Sequence, residues 1–367
     1  MRVLVGMPDK DSLGGPIACE PPFVAALRAL GHEVDEETYV YGEGATPTSI
    51  FKRVTRVLAA ARRLRRRTRE HQYDIIHLST SIDEKSVMRD LVMFTFLGSS
   101  TVPVFLKMQG SIASFLATKS KFWRSMQHRI YAKAAGIGVQ SNEELENFIR
   151  AGCPPEKMSI SKLAIETDTF INDPNFRERL GLAPNVPVLL FSSRFVATKG
   201  LLTVIEACGE LKQSGREFAL FCLGDGPDRD EAEQLVDELG LREYVNFTGY
   251  IPESETVAFH ANSTMFVFPT YHDEGFPVVL LKSLAGGLPI ITTRTRAAAD
   301  LFTDSENCIF VEPRDPHALA VAITRLLDDV ALRETMSANN HRLAEQYAPE
   351  PVAREYLALY QAIIARN

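Results

Sequence analysis

Two kinds of segment alternate along the whole chain. Short stretches rich in apolar, β-branched or aromatic residues fall at 3–7, 33–40, 74–79, 103–108, 137–140 and 158–163, then at 186–193, 218–223, 245–251, 265–268, 288–293 and 308–311. Each is too short for a buried helix, so each reads as a strand. Between them, apolar positions recur every three or four residues, as at 17–30, 201–213 and 347–364, and these read as helices. Regular strand–helix alternation predicts an α/β protein built from parallel, doubly wound, Rossmann-like sheets. Residues 167–185 are polar and proline-bearing with no long apolar run. They read as a linker between a domain at 1–166 and a domain at 186–346, with 347–367 as a closing helix.

The most informative stretch is 265–293. A strand stops at Pro269, Asp273 is placed to cap a helix, and Pro277 is expected in that helix's first turn. Phe276, Val279, Leu280 and Leu284 then repeat at helical spacing until Gly286 and Gly287. Glu274 thus stands where a helix begins, beside backbone amides that lack partners and attract anions. A second cationic element follows the strand at 186–193, where Arg194 and Lys199-Gly200 lead into the next helix. Charge-assisted bonds from such a pair suit a phosphate. After the first strand, Gly14-Gly15 would let backbone approach a bound group closely. Between Lys52 and Arg69, Val54, Val57, Leu58, Ala61 and Leu64 line one helical face and basic residues crowd the rest. That pattern suits either an outer helix packed on the sheet or contact with an anionic membrane surface.

Composition narrows the class without changing this picture. The 367 residues are 45% hydrophobic and 24% charged, enough to bury two cores. A net charge of −7 argues against general nucleic-acid binding. Five scattered cysteines suggest a reduced compartment and no disulfide or zinc framework. The first residues go straight into a strand pattern, and no run of about 18 apolar residues occurs, so the expected location is cytoplasmic, at most peripheral to a membrane.

The run Glu274-Gly-Phe-Pro277, the helix residues after it and the Pro289-Ile-Ile strand resemble the signature of retaining GT-B glycosyltransferases, specifically glycosyltransferase family 4. Arg194 with Lys199-Gly200, Gly224-Asp-Gly226 and the turn at Gly249 match that family in the same order. The resemblance implies a GT-B fold, two Rossmann-like domains facing across a cleft, with the last helix crossing back to the first domain. It implies transfer of a sugar from a nucleotide-diphosphate sugar to a hydroxyl acceptor, with retention, in glycan, glycolipid or glycoconjugate biosynthesis. Roles follow residue by residue: Glu274 for sugar hydroxyls, Arg194 and Lys199 for the diphosphate, and the stretch Gly275, Phe276, Pro277 and Val278 for phosphate or sugar through its amides. Gly14, Gly15 and Gly224 fall near the donor, Tyr250 and Ile251 near its base, and Gln109 and Gly110 near acceptor or sugar. No metal or cofactor is expected, because no Asp-x-Asp sits at a strand end and the side-chain cations can balance the diphosphate.

The chain departs from the family pattern at several points. Lys282 stands where a second glutamate usually contacts the donor ribose, and Gln109 stands where a histidine is common. A glutamine binds hydroxyls but cannot exchange a proton. Leu163 and Ala164 replace an Asn-Gly pair, and Arg294 and Arg296 replace small flexible residues. These departures keep two alternatives open: a non-catalytic partner protein with this fold, or another GT-B enzyme such as a nucleotide-sugar epimerase.

Overall fold

A computed structural model of the chain describes residues 1–8, 15–39, 49–98, 100–272 and 275–367. It divides into two compact units. One comprises Met1–Ile165, a short segment around 275–277 and Tyr347–Asn367, and the other comprises Glu166–His272 and Val278–Gln346.

In the first unit, six parallel strands are β1 (Arg2–Met7), β2 (Glu33–Thr38), β3 (Ile75–Ile82), β4 (Val104–Ser111), β5 (Gly136–Val139) and β6 (Met158–Ile160), ordered β2-β1-β3-β4-β5-β6. Successive side chains of a strand point to opposite faces, and both faces of this sheet are covered. Leu4, Ile76, Leu78, Leu106 and Met108 join the core on one side. Val3, Val5, Ile75 and Phe105 join the core on the other, against Phe23 of the helix Gly15–Ala29 and Tyr356, Tyr360 and Ile363 of the closing helix Pro349–Arg366.

The second unit repeats the scheme with β7 (Val188–Ser192), β8 (Ala219–Leu223), β9 (Val245–Gly249), β10 (Met265–Phe268), β11 (Ile290–Thr292) and β12 (Cys308–Phe310), ordered β12-β11-β10-β7-β8-β9 and parallel throughout. Every residue of β7, β8, β10 and β11 is buried, as an apolar run covered on both faces must be. Residues 167–185 carry a short helix, Phe176–Arg179, and Phe176 packs edge-on against Phe259.

Two local expectations change. The helix after Pro269 begins at Val278, so Pro277 precedes it and does not occupy its first turn. Phe276 is instead drawn against Tyr347, with ring centroids 6.3 Å apart. The basic helix spans Ile50–Glu70, but its apolar stripe is buried only in part. Ala61 and Leu64 are in the core, while Val54 stays 49% exposed beside Phe51 at 80%.

The closing helix is held to the sheet by a buried polar contact. His77 of β3 has no solvent exposure, and its Nδ1 hydrogen-bonds the Tyr360 hydroxyl within a nest formed by Phe23, Phe105 and Tyr356. Tyr360→Phe removes that partner and strands a buried imidazole nitrogen, so chemical denaturation should show a loss of about 1–3 kcal/mol. Burial holds the His77 pKa down to about 3, Glu20 opposing and Lys107 reinforcing the shift. An unfolded histidine titrates near 6.5, so the unfolded chain binds this proton first as the pH falls. Stability should therefore decline from about pH 6.5 towards 3, by up to about 1.4 kcal/mol per pH unit from this group. Urea unfolding at several pH values should give a shallower slope in His77→Gln, and an unchanged slope would remove His77 as the cause.

Candidate functional site

Among the described residues, Arg194, Gly224, Tyr250 and Ile251 follow the carboxyl ends of strands in the second unit, and Gln109 and Gly110 lie near that of β4 in the first, where doubly wound sheets place ligands. In the second unit, three loops converge beyond β7, β8 and β10. The chain leaves β7 through Arg194, makes a single turn at Ala197–Lys199 and enters the helix Leu201–Gln213 at Gly200. Gly200 has φ +82°, and a Cβ there would lie 2.7 Å from the Pro269 carbonyl oxygen, so no larger residue fits. Thr198 ties this turn to the loop after β10. Its carbonyl accepts from the Tyr271 amide at 2.8 Å, and its hydroxyl meets His272 Nδ1 at 2.6 Å.

On the other side, the Phe195 amide donates to the Asp225 carbonyl at 2.9 Å, and the Asp228 amide donates to the Phe195 carbonyl at 3.1 Å. A Cβ on Gly224 would fall 1.9 Å from the Ser193 carbonyl oxygen, which explains the glycine in that loop. Within this frame Lys199 is buried, its ammonium 5.6 Å from the Phe268 ring centroid, and Arg194 is exposed. One cation is thus buried and the other exposed. Tyr250, 63% exposed, follows β9 directly, and the Gly224 amide donates to the Gly249 carbonyl at 2.9 Å, so the candidate base neighbours adjoin the same loops.

Lys282 is buried on the helix Val278–Ala285, and its Nζ contacts both carboxylate oxygens of Glu253, at 2.7 and 2.8 Å. Nothing in the sequence pairs residues 29 positions apart on different helices, so no local pattern marks Glu253. None marks Arg314 either; its guanidinium lies 4.3 Å over the Tyr271 ring. Arg294, flagged as a departure, stacks 4.1 Å from the Phe310 ring, and Arg296 is buried with φ +34°.

In the first unit, Gln109 and Gly110 lie near the end of β4. The Gln109 amide donates to Glu20 Oε1 and to Ser79 Oγ, both at 3.2 Å, and its oxygen accepts from Gln140 Nε2 at 3.3 Å. Beneath it, Lys107 and Glu20 form an ion pair at 3.0 Å with both side chains out of solvent. Burial alone would push the Glu20 pKa up, but Lys107 and His77 bring it below the usual carboxylate value. For Lys107, burial acts downward and Glu20 more than reverses it, so both groups stay charged near neutral pH. An ionised carboxylate only accepts, which fixes the NH2 side of the Gln109 amide towards Glu20. Gly275 completes the cluster, since a Cβ there would lie 2.6 Å from Gln140 Oε1 and 3.1 Å from the Gln109 carbonyl oxygen. Glu274 and Gly14 lie outside the described residues, and Gly15 opens the helix that carries Glu20.

The family model for Glycosyltransferase Family 4 matches residues 22–169, and that for Glycosyl transferases group 1 matches residues 172–343. A lipopolysaccharide core biosynthesis glycosyltransferase, LpsD, from Rhizobium meliloti is 33% identical over 64% of this chain and 62% of its own length. The chain spans between 53% and 62% of the length of the first curated relatives it matches. Among solved structures, sucrose-phosphate synthase from Thermosynechococcus elongatus superposes with a TM-score of 0.79 at 21% identity, covering 100% of this chain and 99% of its own. Anabaena Alr3699/HepE in complex with UDP gives 0.77 at 17%, covering 99% and 100%. Matched in series by these two family models and along its length by structures of the same two-sheet architecture, the chain belongs to the group 1, family 4 glycosyltransferases and has the GT-B fold.

Proposed function

We propose that the protein transfers a sugar from a nucleoside-diphosphate sugar to a hydroxyl acceptor. The observation that carries this reading is the clasp of loops around Lys199, in which Gly200, Thr198 and Phe195 are each tied to a neighbouring strand end. A buried ammonium need not reorganise as negative charge develops on a departing diphosphate, and such preorganised charge is among the larger contributions to catalysis. Arg194 adds a second cation from the segment that leads into this turn. Glu274 and the amides of 275–278 would hold the sugar, with retention of configuration and attack by the acceptor from the leaving-group face. A neighbour in fold bound to UDP, and a relative named for lipopolysaccharide core biosynthesis, support a nucleotide donor and a glycan or lipid-linked acceptor.

The helix Ile50–Glu70 supports a further element of this reading, contact with an anionic membrane surface. Its later turns are engaged by the protein, with Arg63 and Arg67 both reaching Glu37. Its first turns expose Phe51 and Val54 together with Lys52 and Arg53. Apolar side chains flanked by cations suit shallow insertion among acidic headgroups. No helix among the described residues is long and apolar enough to cross a membrane.

Lys199→Ala and Arg194→Ala should each lower kcat by about a hundredfold while the proteins melt near the wild-type temperature. Steady-state transfer assays against a panel of UDP-, GDP- and ADP-sugars would check this, and wild-type rates in both variants would defeat the assignment. In sedimentation with vesicles, phosphatidylglycerol should retain the protein far better than phosphatidylcholine alone. The Phe51→Asp/Val54→Asp variant should remain in the supernatant; equal retention of both proteins would exclude this helix as the contact.

A further inference from the structure

We infer that Glu253 reads the ribose hydroxyls of the bound nucleotide, with Lys282 as the positioning residue that holds its carboxylate in place. This rests on the reading of the second unit as a nucleotide-sugar site. Glu253 opens the helix Glu253–Asn262, three residues beyond exposed Tyr250 and at the carboxyl end of β9. A carboxylate at such a strand end is suitably placed for the diol of a nucleotide's ribose, as dinucleotide-binding folds illustrate.

The state of the carboxylate makes the inference specific. Lys282 Nζ approaches both oxygens, at 2.7 and 2.8 Å, from the protein side, while the Glu253 side chain remains 60% exposed. Two carboxylate oxygens offer about four acceptor positions, so a single ammonium leaves acceptors directed outward. Two vicinal hydroxyls can donate to them. Stability gives no comparable reason for the pair, because a lysine whose stem and ammonium are buried loses hydration that a largely exposed partner barely returns. The pair instead removes rotamer freedom from a glutamate that would otherwise sample many positions in water, which lowers the cost of binding. Lys282 therefore changes which helix supplies the acid, and the acid itself stays at the site.

The test uses the full chain and calorimetry. Whichever of UDP, GDP and ADP binds wild-type protein best is compared with its 2′-deoxy and 3′-deoxy forms. The ribonucleotide should bind wild type about tenfold or more tightly than either deoxy form, and in Glu253→Gln that preference should shrink to within about twofold. Glu253→Gln leaves the Lys282 ammonium buried without its counter-ion, so a second variant guards against misfolding. In Glu253→Lys/Lys282→Glu the pair persists with its charges exchanged, and a carboxylate at 282 should restore at least half of the wild-type preference on the logarithmic scale. An undiminished preference in Glu253→Gln, or no preference in a folded exchange variant, would overturn the inference. Equal binding of ribo and deoxy forms by the wild type would overturn it as well and leave the nucleotide-site reading standing. Failure of the wild type to bind any of the three diphosphates would remove both.

Discussion

Close approach of backbone to backbone is the constraint on which the second unit's chemistry depends. At Gly200 a single methyl group would collide with the Pro269 carbonyl, and at Gly224 with that of Ser193. With glycine at both points, the loops beyond β8, β7 and β10 lie against one another and share hydrogen bonds through Phe195 and Thr198. Lys199 is buried because these loops close around it. A lysine on an open loop would be a mobile, hydrated charge, whereas this one is buried beside Phe268.

The first unit uses a buried ion pair for a similar end. Burying Glu20 and Lys107 together yields little net stability, since each loses its hydration. The fixed negative charge nevertheless decides which end of the Gln109 amide faces inward. An amide is nearly symmetric in shape and would otherwise sit either way round. At this position the chain has a group that cannot carry a proton but is oriented by charges beneath it. A side chain at Gly275 would run into the same two glutamines, so the segment there approaches this polar cluster only as glycine.

Much of the fold was legible because the parallel strands are buried on both faces, and a strand such as β7 or β10 must then be apolar along its whole length. The cationic turn after β7 was legible for a related reason: strand, Arg194, Lys199-Gly200 and helix are contiguous, so spacing alone sets their order. The basic helix was read only in part. Its periodic stripe fits packing along the whole length, yet Val54 and Phe51 protrude because burial depends on whether a neighbour lies opposite, which periodicity does not encode. Helix-start statistics put Pro277 in a first turn, whereas the helix begins at Val278 and Phe276 packs beside Tyr347, a residue remote in the chain.

The sequence by itself determined most of the elements, the parallel character of the sheets and the position of Arg194 and Lys199 between a strand and a helix, because these follow from hydrophobic period and from residues adjacent in the chain. Only the tertiary structure decided the pairings of Lys282 with Glu253, of Glu20 with Lys107 and Gln109, and of His77 with Tyr360. Those partners stand 29, 87, 89 and 283 positions apart along the chain. Neither member of such a pair carries a local mark of the other; the charge or hydrogen-bond partner that each requires is supplied when strands and helices distant in sequence pack side by side.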